Sequence, residues 1–553
     1  MSLITDILEY AHLSRAGRVQ RDPTQTKAYL VGGGIGSLAA AAILIRDAHV
    51  PAGNIHIIDE GKVVGGAMDG SGAPEAGYIA RGGRMLNCSY VCLYNLLKSV
   101  PSADNEGKTL YDDIMDFTKA HPSHAKARLV EGEGKKVDVT HMGFTNQDRL
   151  ELLNLWVSSE EALGTKKIEE CFSEHFFTTN FWFMWITTFA FQPWHSAVEF
   201  KRYLHRFIHE FPRINTLEGV DRTPLNQYDS IIAPLQSWLQ KQGVNFLMET
   251  KVVDVEFDVD ANKKVTATRI HTLSQGHGTS IIEVRPEDLT FVTNGSMTSA
   301  SSLGSLTSAP QTITDPKVDG AWSLWSSIAF RLGEKFAGNP ANFINRVDES
   351  KWESFTVTTH DPLLQNLLVD WSGNEPGSGA LVTFKDSNWL LSYVLPHQPH
   401  FRGQPEGVSV FWGYGLYVDK PGNFVKKPMS ECTGAEILQE LLYHVGLADQ
   451  FDTILPTVQV IPTMLPYITS QFLTREHKDR PKVVPKGSHN FAWLGQWTEI
   501  PDDTVFTVEY SVRSAMIAVY ELMGLPSNPH PPAIYKGEHH LDVIFRALNM
   551  SLT

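Results

Sequence analysis

The first clear pattern along the chain is a short apolar run, Ala28-Tyr-Leu-Val31, interrupted by Gly32-Gly33-Gly34-Ile35-Gly36-Ser37 and resumed as Leu-Ala-Ala-Ala-Ala-Ile-Leu-Ile-Arg-Asp. Four or five continuous apolar positions suit a strand buried on both faces, and the Ala- and Leu-rich run suits a helix. The predicted unit is strand, tight turn, helix. A second run, Asn54-Ile-His-Ile-Ile-Asp59, predicts another strand and ends in an acid 22 residues after Ser37. Two later segments repeat the shape of an apolar run closed by a small-residue turn: Asp288-Leu-Thr-Phe-Val-Thr-Asn294-Gly295-Ser296 and Phe491-Ala-Trp-Leu-Gly495-Gln-Trp. Thr250-Lys-Val-Val253-Asp-Val reads as one more strand of the same domain. Pro501-Asp-Asp503-Thr-Val505 opens a predicted helix over 506–523.

Two stretches raise the question of membranes. Residues 176–197 carry no Asp, Glu, Lys or Arg and are long enough to cross a bilayer. Asn180, four threonines and Gln192-Pro193 are poor choices for lipid, so the aromatics here predict a buried wall facing core or an elongated apolar ligand. Near the end, Leu541-Asp-Val-Ile-Phe-Arg-Ala-Leu-Asn-Met has the pattern of an amphipathic helix, fit for membrane contact, for capping a channel or for ordinary packing.

Composition narrows the class. With 553 residues the chain exceeds one hydrophobic core and predicts about three or four domains. Apolar residues at 42% and charged residues at 20% exclude disordered, collagenous and coiled-coil chains. A net charge of −15 argues against nucleic acid as a partner. Four cysteines, Cys88, Cys92, Cys171 and Cys432, are too few for a disulfide framework and fit a reducing cytosol. Cys88 and Cys92 are spaced to share a helical face, but no Cys/His pair stands near them in sequence, so no metal site is expected. No export signal opens the chain.

The glycine turn carries the chemistry. Gly32 permits the turn, Gly34 lets the backbone approach a pyrophosphate, Gly36 and Ser37 are small enough for close helix packing, and the helix start favours negative charge. Asp59, with Glu60 beside it, suits ribose hydroxyls. Gly65 and Gly66 complete an acid-x5-Gly-Gly spacing that resembles the flavoprotein form of this fold and points to FAD over NAD. Asn294, Gly295 and Ser296, Val253, and Asp503, Thr507 and Val508 at the last helix are the further expected contacts. The expected fold is α/β, with a discontinuous Rossmann-like FAD domain built from 24–130, 225–310 and 485–525.

Longer matches resemble one family, the oleate hydratases, also called myosin-cross-reactive antigen proteins. The resemblance covers nearly the whole chain and rests on Arg81-Gly82-Gly83-Arg84, Thr187-Thr-Phe-Ala-Phe-Gln-Pro-Trp-His195-Ser, Glu199-Phe-Lys-Arg-Tyr203-Leu-His-Arg-Phe, Asn226-Gln-Tyr228, Phe291-Val-Thr-Asn-Gly-Ser-Met297 and Ile500-Pro-Asp-Asp-Thr-Val-Phe-Thr-Val-Glu-Tyr-Ser511. It implies water addition to the cis double bond of a fatty acid, cis-9 of oleic acid giving 10-hydroxystearic acid. It also implies an FAD that does no net redox chemistry and is favoured in its reduced form. It implies further that a tyrosine donates the proton, mapped to Tyr203 with Tyr228 as the alternative. Arg202, His205 and Arg206 flank Tyr203 and are expected to make its hydroxyl a better acid. The remaining chain then supplies a helical cover, 131–224, a substrate domain, 311–484, and a cap or membrane-contact tail, 526–553.

Two departures from the family stand out. Where it reads Arg-Gly-Gly-Arg-Glu-Met, this chain places Met85 after Arg84, so the water-holding glutamate is absent. Where it reads Thr-x-Asn-Arg-Gln-Pro-His, linked to the substrate carboxylate, this chain reads Val394-Leu-Pro396-His397-Gln398-Pro-His400. Gln398 and His400 are left as the expected carboxylate contacts, with Phe191 and Trp194 as apolar ones. The oligomeric state, monomer or homodimer, is open, and peripheral membrane contact is compatible with such a substrate. Two rival functions fit the same residues: a redox flavoenzyme acting on lipid, and a catalytically silent lipid-binding flavoprotein.

Overall fold

A computed structural model describes residues 21–83, 85–274, 276, 278–315, 319–379, 381–526 and 531–534. Arg84 and nearly all of the 526–553 tail, including the amphipathic pattern at 541–550, lie outside the described residues. The fold is α/β. Five parallel strands form its central sheet in the order Phe491–Leu494, Leu289–Thr293, Ala28–Val31, Ile55–Ile58, Asn245–Leu247. Ala28, Leu30, Ile55 and Ile57 are wholly buried, which is why these strands read as unbroken apolar runs. Helix Ile35–Arg46 follows the glycine turn, and helix Val508–Leu522 packs against it. Their approach is close: a Cβ on Gly36 would lie 3.6 Å from Leu494 and 3.8 Å from the Ser511 carbonyl.

The strand beginning at Thr250 forms as expected but lies outside the central sheet. Thr250–Val259 pairs antiparallel with Val265–Ser274, which pairs with Gly278–Glu283, making a separate three-stranded sheet. An apolar run alone does not say which sheet a strand joins. Because side chains alternate along a strand, Val252 and Val255 are buried while Val253 is 41% exposed.

An eight-stranded sheet builds the other half. Its order is Ser302–Leu303, Val458–Leu465, Trp352–Thr359, Ser409–Gly415, Leu391–Val394, Leu381–Phe384, Leu129–Glu131, Lys135–Lys136, so it recruits strands from outside 311–484. Thr356 and Thr358 are buried on Trp352–Thr359, and their hydroxyls accept the N–H groups of Ala80 and Tyr78 at 3.0 and 2.9 Å. That contact fixes strand Gly77–Ala80, from whose end the Arg81-Gly82-Gly83 segment leaves.

The uncharged stretch 176–197 is broken rather than continuous. Thr179 caps helix Asn180–Phe189, which ends at Ala190 with φ 63°, and helix Ala197–Arg206 starts after a turn, capped by Ser196. Among the described residues no helix is long and apolar enough to cross a membrane.

Glu509 joins two segments far apart in sequence. Buried in the first turn of Val508–Leu522, it accepts the N–H groups of Cys92 and Leu93 at 3.0 and 2.8 Å, the start of helix Val91–Leu97, and pairs with Arg513 at 3.1 Å. Glu509→Ala leaves these partners buried and unpaired, and is expected to lower unfolding stability by about 3 kcal/mol or more. Urea unfolding followed by tryptophan fluorescence checks this.

Candidate functional site

The glycine turn forms an open cradle. Gly32 takes φ 98° and donates to the Ile58 carbonyl at 2.9 Å, which turns the chain between adjacent strands. Gly34 stands at the start of helix Ile35–Arg46, which has no side-chain cap and no acid in its first turn. A Cβ added to Gly34 would meet nothing within 4 Å, so the space above the helix start is free. Gly65 donates to the Gly33 carbonyl at 2.9 Å, and a Cβ on Gly66 would lie 3.3 Å from the Gly34 Cα. The second glycine pair thus closes on the first. The half-buried Asp59 carboxylate accepts the N–H groups of Gly33 and Gly61 at 2.5 and 2.7 Å, and its partial burial still pushes its pKa up. Glu60 accepts the Gly320 N–H at 2.8 Å.

One cavity of about 490 Å³ begins at this cradle. Gly32, Gly34, Gly36, Asp59 and Glu60 line it, as do Gly65 and Gly66. Arg81, Gly82 and Gly83 form its next wall, with Arg81 tied to Asp69 at 2.6 Å. A Cβ on Gly83 would come within 2.8 Å of the Trp412 ring, so only glycine fits there. Gly295, Ser296, Thr507 and Val508 line the same space.

Four expected contacts lie off the wall. Ser37 is buried behind the turn, 3.4 Å from the Thr293 hydroxyl. Val253 faces outward, and its neighbour Val252 lines the cavity instead. Asn294 donates to the Trp497 carbonyl at 3.0 Å. Asp503 is buried against Arg513 at 3.0 Å and Arg206 at 3.7 Å.

Beyond Met85 the cavity becomes an aromatic arm lined by Tyr90, Phe189, Tyr203, Phe207 and Trp412. Tyr203 projects from helix Ala197–Arg206, its ring 5.0 Å from both Phe189 and Phe191, and its hydroxyl donates to the Val505 carbonyl at 2.5 Å. Burial outweighs the flanking cations. Arg202 is bound by Glu160 and Glu499, each at 2.7 Å, His205 stacks on Trp156 at 3.9 Å, and Arg206 is shared between Asp503 and Glu509. Burial therefore dominates and pushes the Tyr203 phenol well above its ordinary range. Tyr228 lies outside the arm, its ring beneath Gly65.

A second cavity of about 70 Å³ shares Gly82, Gly83, Met85, Gln227 and Trp412 with the first. Val394, Pro396, His397, His400 and Arg222 complete it. The Nε and Nη2 atoms of Arg222 are shut off from solvent with no hydrogen-bond partner among the described residues, and burial lowers its pKa to about 10. It is still a cation at neutral pH. Burial, with Arg222 adding to it, pushes His400 down to about 4, leaving a neutral imidazole.

Gln398 and Trp194 correct the sequence reading. The Gln398 amide bonds Pro396, Val410 and Gln404 within its own loop and lines neither cavity. The Trp194 ring N–H donates to the Glu349 carbonyl at 2.8 Å, away from both cavities. Phe191 stands behind the arm, packing on Tyr203 and stacked on Phe472 at 4.3 Å. Sequence reasoning missed Arg222, Tyr90 and Glu210, which no motif marks. Cys88 and Cys92 do not share a face: Cys88 is exposed ahead of the helix and Cys92 is buried in it. Cys88 instead lies with His209 and Glu210, their ligand atoms within 4.8 Å of one another. The Glu210 carboxylate there is already held by Arg213 at 2.7 and 2.8 Å and by Asn87 at 2.8 Å.

These features define a Rossmann-like α/β protein whose nucleotide cradle opens into an apolar chamber ending near a buried cation. The chain belongs to the MCRA family, which matches residues 25–520. It is 38% identical over 511 residues to an oleate hydratase from Streptococcus pyogenes serotype M49 (strain NZ131), covering 90% of this chain and 85% of that one. It is 37% identical over 546 residues to a linoleate hydratase from Lactiplantibacillus plantarum, covering 91% and 94%. Among solved structures, a cyclohexylamine oxidase from Brevibacterium oxydans IH-35A is similar with a TM-score of 0.48 at 13% identity, covering 90% of this chain and 98% of that one.

Glu210 supplies a pH test of the arm's rim. Bonds from His209 and Arg213 overcome burial and lower its pKa from 4.5 to about 2. A depressed folded pKa contributes stability above the unfolded pKa, and that stability is lost as pH falls from about 4.5 toward 2. Glu210→Gln is expected to destabilise the protein by about 3 kcal/mol at pH 7 and by little at pH 2. Unfolding midpoints of both proteins across that range check the difference.

Proposed function

We propose that the chain is a hydro-lyase that adds water to a cis double bond of a long-chain unsaturated fatty acid, with FAD held in the glycine cradle. The observation that carries this reading is the continuity of one cavity from the cradle to Tyr203, with a side cavity behind Met85 where two Arg222 guanidinium nitrogens have no hydrogen-bond partner among the described residues. The names of the relatives agree with it.

The cradle fits FAD by its free space above Gly34, its uncapped helix start and the approach of Gly66. Gly32, Gly34 and Gly36 would hold the pyrophosphate, Asp59 and Glu60 the ribose, and Arg81, Gly295, Ser296, Thr507 and Val508 the rest. Hydration neither oxidises nor reduces its substrate, so bound flavin supplies a shaped, charged wall to the chamber, in its reduced form by preference.

The acyl chain lies along the aromatic arm, where Phe189, Phe207 and Trp412 exclude water. Its carboxylate pairs with Arg222, and neutral His400 donates a second hydrogen bond. This replaces the contacts that Val394 and Pro396 cannot make. Tyr203, placed at the arm, donates the proton to the alkene. Oleate, with its cis-9 bond, is the first substrate to try.

Flavin-loaded protein incubated with oleate in ¹⁸O-labelled water should yield a hydroxy fatty acid carrying the label. Unlabelled or desaturated product would contradict hydration. Tyr203→Phe is expected to cut turnover by roughly 10²- to 10⁴-fold. Arg222→Met should raise KM for oleate about 10- to 100-fold while leaving the KM of the corresponding alcohol unchanged.

A further inference from the structure

Water that adds to a carbon must lose a proton, and Met85, which stands at the junction of the two cavities, has no group able to take it. Tyr203 meets the complementary difficulty. Once its proton is given to the alkene it becomes a phenolate in a setting whose burial strongly disfavours that charge. A single group that takes a proton from water while giving one to Tyr203 would answer both needs.

The hydroxyls along this arm narrow the choice. Thr188 donates to the Met184 carbonyl at 2.7 Å and accepts from Arg128 at 2.8 Å. Tyr203 donates to Val505. Tyr90 lines the same arm, and among the described residues nothing hydrogen-bonds its hydroxyl. It is 7% exposed, its ring lies edge-on to Phe207 at 6.5 Å, and Phe207 lies 5.4 Å from Tyr203. Both phenols therefore line one cavity, linked through the Phe207 ring that each of them touches.

The backbone beneath Tyr90 is fixed. Its N–H donates to the Asn87 carbonyl at 2.9 Å, and the helix that begins at Val91 is pinned by Glu509. A phenol at such a site has a set position without a set partner, which suits a water-holding role.

We propose that Tyr90 holds the attacking water and relays its proton to Tyr203, a role that rests on the hydratase reading above. The Tyr203 O–H bond breaks as a C–H bond forms at one alkene carbon. A lone pair of the water oxygen forms the C–O bond at the other carbon. One water O–H bond breaks toward Tyr90 while the proton of Tyr90 passes to Tyr203 through a second water in the cavity, which gives one proton to Tyr203 as it takes one from Tyr90. Both phenols finish protonated, and the net change is alkene plus water to alcohol.

The test is Tyr90→Phe in the full, flavin-loaded chain with oleate as substrate, reading kcat, KM, flavin content and the dependence of kcat on the deuterium fraction of the solvent. The expected result is a fall in kcat of about 100-fold or more at unchanged KM and flavin content. The wild-type proton inventory should be curved, with more than one proton in flight, and that of Tyr90→Phe should be linear. Met85→Glu added to Tyr90→Phe should restore at least tenfold of kcat by returning an acceptor beside the water. Wild-type kcat in Tyr90→Phe overturns the proposal, as does a loss confined to KM or flavin content, or one that Met85→Glu leaves untouched. A wild-type chain that forms no hydroxy acid removes the hydratase reading itself, a failure distinct from these.

Discussion

Glu509 sits at the start of the C-terminal helix with its two oxygens turned toward the N–H groups of Cys92 and Leu93 and toward Arg513. An isolated carboxylate in that position would be several kcal/mol unfavourable, so burial is tolerated only with every partner in place. The two N–H partners come from a segment more than 400 residues away. Their meeting fixes three things together: the turn that brings Thr507 and Val508 to the cradle, the Val505 carbonyl that receives the Tyr203 hydroxyl, and the helix that follows Tyr90. Cradle and chamber therefore share one cavity because the Glu509 carboxylate ties the C-terminal helix to the start of helix Val91–Leu97.

Charge elsewhere around the arm is arranged to cancel. Arg202, Arg475 and Arg480 surround Glu199 and Glu499, and Arg206 and Arg513 surround Asp503 and Glu509. Such networks position helix Ala197–Arg206 while leaving Tyr203 governed by burial. Arg222 is the contrast. Its guanidinium carries a charge that lacks a partner at Nε and Nη2 among the described residues, in a space too small for more than a head group. An anion arriving there recovers the favourable pairing that the folded chain leaves unmade.

The cradle was legible in the sequence because its chemistry is local. Gly32 to Gly36, Asp59 and the Gly65-Gly66 pair follow one another along a strand, a turn and a helix, and their spacing carries the geometry. Side-chain direction was not legible. Arg202 and His205 flank Tyr203 in sequence, yet each turns to a partner of its own on another segment. Gln398 has the composition of a ligand but is consumed by its own loop. The Thr250 pattern predicts a strand without saying which sheet it joins, since pairing partners are a tertiary matter. Arg222, Tyr90 and Glu210 belong to no motif and become candidates only when folding brings them to one wall.

The central claim is that a fatty acid in the aromatic arm shares its space with the flavin and exchanges no electrons with it. The most direct measurement is an anaerobic titration of oleate into FAD-loaded protein, followed through the visible spectrum of the flavin. The account predicts a saturable shift of the flavin bands with no bleaching. Stoichiometric bleaching, or oleate binding that leaves the spectrum unmoved, would contradict it.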